Sequence, residues 1–168
     1  MSSKILAKIK TLVLIFDHTN THIALITETE GKDHWKGSLN AVGGHIEQGE
    51  DIYNSAQREC IEELGIKIHL PLRLLGIINV QDKKGMTNMM YVFIAIINKK
   101  MELKGSDEGE VRWIKISDIS QNDNVVQDIK LFTRVAKNLT SNQYITGTSR
   151  YVLDGTLAYI QSHKRKLV

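Results

Sequence analysis

This sequence contains one cysteine, Cys60, and with a single thiol no intramolecular disulfide can close and no cysteine-rich zinc site can be assembled. A reducing compartment, and so a cytoplasmic protein, is the expectation. There is also only one proline, and no Pro/Gly/Ser-rich linker, internal repeat or low-complexity tract divides the 168 residues. One compact domain with a sizeable core is therefore expected, over residues 1–163. No apolar run approaches the roughly 20 residues that span a bilayer. The opening MSSKILAKIKTLVLIFDH places lysines before an apolar run, but that run is short, ends at Asp17 and lacks a small-residue cleavage site, so it reads as a strand rather than a signal peptide. Strong charge of either sign is missing too: the formal net charge is +3, and setting aside Lys164, Arg165 and Lys166 leaves zero. Residues 164–168 are expected to form a solvated, frayed basic tail without a function. Neither a membrane nor a stable nucleic-acid complex is expected as a partner.

What is present alternates between two periods. Leu12 to Phe16 and His22 to Thr27 read as strands joined by the turn DHTNT, and Leu39 to Val42 as a short extended piece running into Gly43-Gly44. Tyr53, Ala56, Cys60 and Leu64 then recur at spacings of three and four, which predicts an amphipathic helix over 51–64 closed by Gly65. Segments 72–80, 89–97 and 111–116 read as strands, the second buried on both faces. Val125, Ile129, Phe132, Ala136 and Leu139 mark a second helix. Asp154-Gly155, between two apolar runs at 151–160, signals a tight hairpin. The class is α/β or α+β with a mixed sheet.

Against the small net charge, residues 44–66, GHIEQGEDIYNSAQRECIEELGI, hold five glutamates. At about 100° per residue, Glu59, Glu62 and Glu63 share an arc of about 100° beside the apolar stripe. Like charges so spaced cost a bare helix a few tenths of a kcal/mol per pair, so the arrangement makes most sense with a cation over it. Carboxylates are the preferred ligands of hard divalent ions, and Mg²⁺ held by a few of them is the usual partner of a phosphate substrate. A plain solvated helix is the competing reading of such a cluster taken alone. Gly43-Gly44 ahead of it permits close backbone approach, and Arg58 can grip a carboxylate bidentately.

The run Gly44-x5-Glu50-x7-Arg58-Glu59-Cys60-x-Glu62-Glu63-x-Gly65-Ile66 resembles the Nudix box at every specified position, with Cys60 standing at an apolar site as a small hydrophobe. The resemblance implies a Nudix fold, a mixed sheet between helices ending in a β-hairpin, and a hydrolase of nucleoside diphosphate derivatives using Mg²⁺ or Mn²⁺. It implies that Glu59, Glu62 and Glu63 bind metal with help from the Gly44 carbonyl, that Arg58 orients carboxylates, and that Glu50 is structural. Glu62 or Glu63 could be the general base, as could Glu108 in the SDEGE loop, which could alternatively be a plain polar turn. LNAVGGHIEQGE is similar to a segment of MutT-like and 8-oxo-dGTP diphosphatases in which the residue matching Asn40 reads a purine, an amide being able to donate and accept at one base edge. The acid matching Asp128 contacts the base in such enzymes. Leu39 stands where they carry Trp, and His45 where a phosphate-meeting Lys is common, so a neutral imidazole could face the phosphates. Trp35, Tyr91, Trp113 and Phe132 could stack on a base or pack in the core. The expected substrate is a nucleoside triphosphate, an oxidised purine one among the candidates, cleaved to monophosphate and pyrophosphate. ADP-ribose, a dinucleoside polyphosphate or an RNA 5′ end are alternatives, as is a binding module without catalysis.

Overall fold

Residues 11–17, TLVLIFD, are buried without interruption, because their strand has neighbours along its edges and a helix over each face. This computed structural model describes residues 6–29, 37–66, 69–82, 84–98, 101–107, 109–152 and 157–166. The strand is β1 (Ala7–Asp17); β2 (His22–Glu28) folds back on it, and β3 (Leu39–Asn40) follows. Helix α1 (Ile52–Leu64) precedes β4 (Arg73–Gln81), β5 (Thr87–Ile97) and β6 (Gly109–Lys115). After a 3-10 turn come α2 (Gln127–Ala136), β7 (Gln143–Tyr151) and β8 (Leu157–Lys166).

The sheet order is β3-β2-β1-β5-β4-β7-β8, with β6 on β2. Pairs β1/β5 and β4/β7 are parallel and the others antiparallel, so the sheet is mixed as expected. Alternation along the strands sorts the core into two layers. Leu12, Leu14 and Phe16 face Ile129 and Phe132 of α2, while Val13 and Ile15 face Ala56, Cys60 and Leu64 of α1. In β5, Val92 and Ile94 join the first layer and Phe93, Ala95 and Ile97 the second; only Ile96, 51% exposed, escapes burial in that run. The sheet is therefore held between the two helices. Among the described residues no helix is long and apolar enough to cross a membrane.

Two expectations need correcting. The strands at the C-terminal end are longer than the apolar runs suggest, because exposed strand positions carry polar residues that leave no hydrophobic signal. Lys164, Arg165 and Lys166 consequently form no frayed tail: they pair in β8 with Ile145, Tyr144 and Gln143, their side chains exposed. The Asp154-Gly155 turn lies outside the described residues.

Candidate active site

Helix α1 is placed by local signals. Asp51 caps it by accepting from the Tyr53 and Asn54 N–H groups at 2.8 and 2.9 Å, and Gly65 ends it in the left-handed conformation at φ 64°. Ala56, Cys60 and Leu64 bury its apolar stripe, and buried Gln57 donates to the Leu70 carbonyl and accepts the Leu70 N–H, fastening the following loop. This orientation sends Glu59 and Glu63 inward, to 7% and 5% exposure, and leaves the Glu62 side chain 57% exposed.

The glycine pair is placed by the sheet. Strands β1 and β3 share one edge of β2, so where β2 parts from β1 the chain after β3 takes its place, with bridges Val13 to Val42 and Lys10 to His45. Thr11 donates its N–H to the Gly44 carbonyl at 2.9 Å. The Gly43 N–H donates to Glu63 Oε2 at 3.2 Å, and the Glu59 carboxylate lies so close to Gly44 that a Cβ there would stand 2.6 Å from Glu59 Cδ. Any side chain at position 44 would expel that carboxylate, which is why glycine is required.

Arg58 gathers the acids. Its Nε and Nη2 grip Glu50 at 2.8 and 3.1 Å, Nη1 donates to Glu59 and Glu62 at 2.9 Å each, and Nη2 also donates to the His45 carbonyl at 3.0 Å. These bonds use all five guanidinium donors, leaving none for a phosphate. The Arg58 hydrogen bonds, with help from the Glu47 N–H, hold the Glu50 carboxyl at about 2 against desolvation, and Glu50 in turn raises Arg58 above its ordinary range. Burial, with the charges of Glu63 and Glu59, pushes the Cys60 thiol up to about 12, so it is a neutral packing group and not a nucleophile.

A divalent ion fits the chemistry of this donor set: buried carboxylate oxygens of Glu59 and Glu63, the mobile Glu62 and a backbone carbonyl. Among the described residues no three acidic, His or Cys side chains converge closely enough to hold an ion as they stand, since Glu62 is drawn toward Arg58. Exposed Glu62 can swing from that bond at small cost. Gly44, expected to lend its carbonyl, has that oxygen engaged by the Thr11 N–H.

The other expected residues fall in different places. Asn40 is half-buried on β3, its Oδ1 accepting the Ala41 N–H at 2.9 Å, and neighbouring Leu39 pairs with Val125 just ahead of α2. Asp128, in the first turn of α2, is 5% exposed against Ser149 and Tyr151 of β7. Burial raises its pKa, partly offset by those two hydroxyls. The segment from Leu39 to Gly44 thus runs from the α2 neighbourhood to the acids of α1. His45 is exposed. Phe132 is wholly buried in the core, and Tyr91 and Trp113 pack on the α1-side layer, so of the two expectations for them packing is the one that holds. Glu108 and Trp35 lie outside the described residues. Nothing in the sequence separates Thr11, Ser149 and Tyr151 from ordinary strand residues.

The NUDIX domain model matches residues 8–135. A curated relative, the uncharacterized Nudix hydrolase YvcI of Bacillus subtilis (strain 168), is 35% identical over 88 residues, which cover 50% of this chain and 55% of that protein. The match thus spans little more than half the relative's length. Among solved structures, the mutator MutT protein from Bacillus halodurans superposes with TM-score 0.75 at 24% identity, over 92% of this chain and 97% of that one. The NUDIX domain of Shewanella oneidensis NrtR, complexed with ADP ribose, gives TM-score 0.65 at 15% identity, over 80% and 90% of the two chains. At these identities the structural likeness speaks for the fold, and with the family model covering most of the chain and the complete acidic motif folded around Arg58, the protein belongs to the NUDIX domain family.

Proposed function

We propose that this protein is a Mg²⁺- or Mn²⁺-dependent pyrophosphohydrolase that cleaves nucleoside triphosphates, with oxidised purine nucleotides among its candidates, to the monophosphate and pyrophosphate. The observation that carries this reading is the pair of nearly buried carboxylates, Glu59 lodged on Gly44 and bonded to Arg58, and Glu63 bonded to the Gly43 N–H. Burying two acids side by side is costly unless positive charge compensates them, and Arg58 alone also serves Glu50 and Glu62. Glu59, Glu62 and Glu63 would hold the ion, with a backbone oxygen of Gly43-Gly44. Bound there, a divalent ion neutralises phosphate oxygens and acidifies the attacking water. Arg58 and Glu50 keep the acids oriented; Glu63 or Glu62 would take the water's proton, with Glu108 as the further candidate for base or ligand. Asn40 and Asp128 would read the base, and His45 would lie by the phosphates.

Glu62→Gln and Glu63→Gln, assayed with Mg²⁺ and Mn²⁺ against nucleoside triphosphates, should each lose turnover by about 100-fold or more while keeping wild-type circular dichroism. Near-wild-type rates in both would refute the assignment. A second reading keeps the chemistry and changes the leaving group to that of ADP-ribose, a dinucleoside polyphosphate or an RNA end; it is supported by the ADP-ribose complex of the NrtR domain. Ranking these substrates by kcat/KM separates the two. A module that binds without turnover, the remaining alternative, is disfavoured by the intact acids.

A further inference from the structure

The two faces of the sheet are not covered alike. The layer under α2 reaches from Leu14 of β1 through Val92 and Ile78 to Ile145 of β7, whereas α1 packs its stripe on Val13 and Ile15 of β1. Beyond α1, the positions of β7 that alternate with buried Ile145 and Ser149 come to the α1 side: Tyr144, Thr146, Thr148 and Arg150. His163 and Arg165 of β8 join them, in register with Thr146 and Tyr144. Tyr144 and Thr146 are half-buried and the other four are exposed. Neither strand contains an acid, and among the described residues no ion pair holds Arg150 or Arg165. Residues 143–166 carry Arg150, Lys164, Arg165 and Lys166 against Asp154 alone, so a charge that is small for the whole chain is concentrated in two strands.

Lysines and arginines on an edge strand ordinarily guard it against pairing with other chains. That accounts for β8 but not for Arg150, because β7 is paired on both sides. A cationic strip with an aromatic ring and hydroxyls, and without carboxylates, suits a flexible polyanion that has bases to stack. From Tyr144 to Arg150 it is about 20 Å long, at about 3.3 Å per residue, a length that several nucleotides of an extended strand span.

We propose that this open face of β7 and β8 binds single-stranded RNA. Arg150, His163 and Arg165 meet phosphates, a base stacks on Tyr144 beside the Arg165 guanidinium, and the Thr146 and Thr148 hydroxyls meet ribose 2′-OH groups, the feature that separates RNA from DNA. The inference goes beyond the proposed function, since it needs neither the metal nor hydrolysis. The small net charge spoke against a nucleic-acid partner; the fold, by gathering cations on one face, speaks for one.

The test is fluorescence anisotropy with a 3′-labelled oligouridylate of about 12 nucleotides bearing a 5′-hydroxyl, in EDTA, so that the acids of α1 hold no ion. Wild type should bind it saturably, at least about fivefold tighter than DNA of matching sequence or polyglutamate. Arg150→Gln with Arg165→Gln should weaken binding about tenfold and lower the slope of log affinity against log salt by about 1.4. Lys164→Gln with Lys166→Gln, the same charge change at positions in register with Ile145 and Gln143 and so on the other face, should cost less than about twofold. Tyr144→Ala should lose about fivefold or more, and Tyr144→Phe, which keeps the ring, nearly nothing. Absence of saturable binding, equal affinity for DNA or polyglutamate, or equal loss from the two charge pairs would each overturn the inference. Nucleoside triphosphate turnover should be unchanged in all these variants; a wild type without turnover would refute the proposed function and leave the RNA result standing.

Discussion

At the scale of single residues, Arg58 and Glu50 show how one ion pair organises a site. Ordinarily titrating near 4.5, Glu50 is held at about 2 by Arg58, so the native state keeps it ionised where the unfolded chain would already take up a proton. Its contribution to stability is complete above about pH 4.5 and is lost as the pH falls toward about 2. The wild-type melting temperature should therefore fall more steeply across that window than that of Glu50→Gln, and parallel curves would contradict it. Asp17 works in the same direction. Burial pushes its carboxyl up, but the Thr19 hydroxyl, the His22 and Thr21 N–H groups and the Thr21 hydroxyl together hold it well below the usual range. The turn DHTNT was legible as a turn; that Asp17 builds it by folding its carboxyl over the following backbone was not.

At the scale of elements, α1 was the most legible part of the chain, because caps and periodicity are local. The expected span 51–64 differs from the observed helix by one residue, since Asp51 is the cap rather than the first turn. Asp51→Ala removes acceptors for two N–H groups at the helix start and should cost about 1 kcal/mol in urea denaturation, a loss that Asp51→Ser largely avoids. The helix carries every acid expected of it, yet the spacing rule that put Glu59, Glu62 and Glu63 on one face did not distinguish their burial. Two of them point under the glycine strand and one into water, a difference set by how α1 is rolled against β1. Helix α2 was legible from its apolar stripe, whereas the lengths of β7 and β8 were not, because an exposed strand face can carry any polar residue.

At the scale of the whole molecule, the sheet separates two tasks. The acids and Arg58 belong to α1 on one face, Asp128 to α2 on the other, and Leu39 to Gly44 connects the two neighbourhoods. Phe132 is fully buried and anchors α2. Phe132→Ala should destabilise the protein by about 3–5 kcal/mol. At a temperature where the variant remains folded, it should raise KM for nucleotides while Mn²⁺ affinity stays near wild type; equal damage to both would show that the two faces are not independent.

The sequence by itself determined the kinds of element, their order, the mixed α/β character and the acidic motif, since helical and strand periods, capping residues and turn dipeptides act within a few positions. Tertiary structure alone decided that the Gly44 carbonyl is engaged by Thr11, that Arg58 spends all its donors on its neighbours, that Ser149 and Tyr151 meet Asp128, and that the basic end completes a sheet. Each of these depends on the register of strands far apart in the chain, and register is set by the packing of the whole sheet between its helices rather than by any local preference.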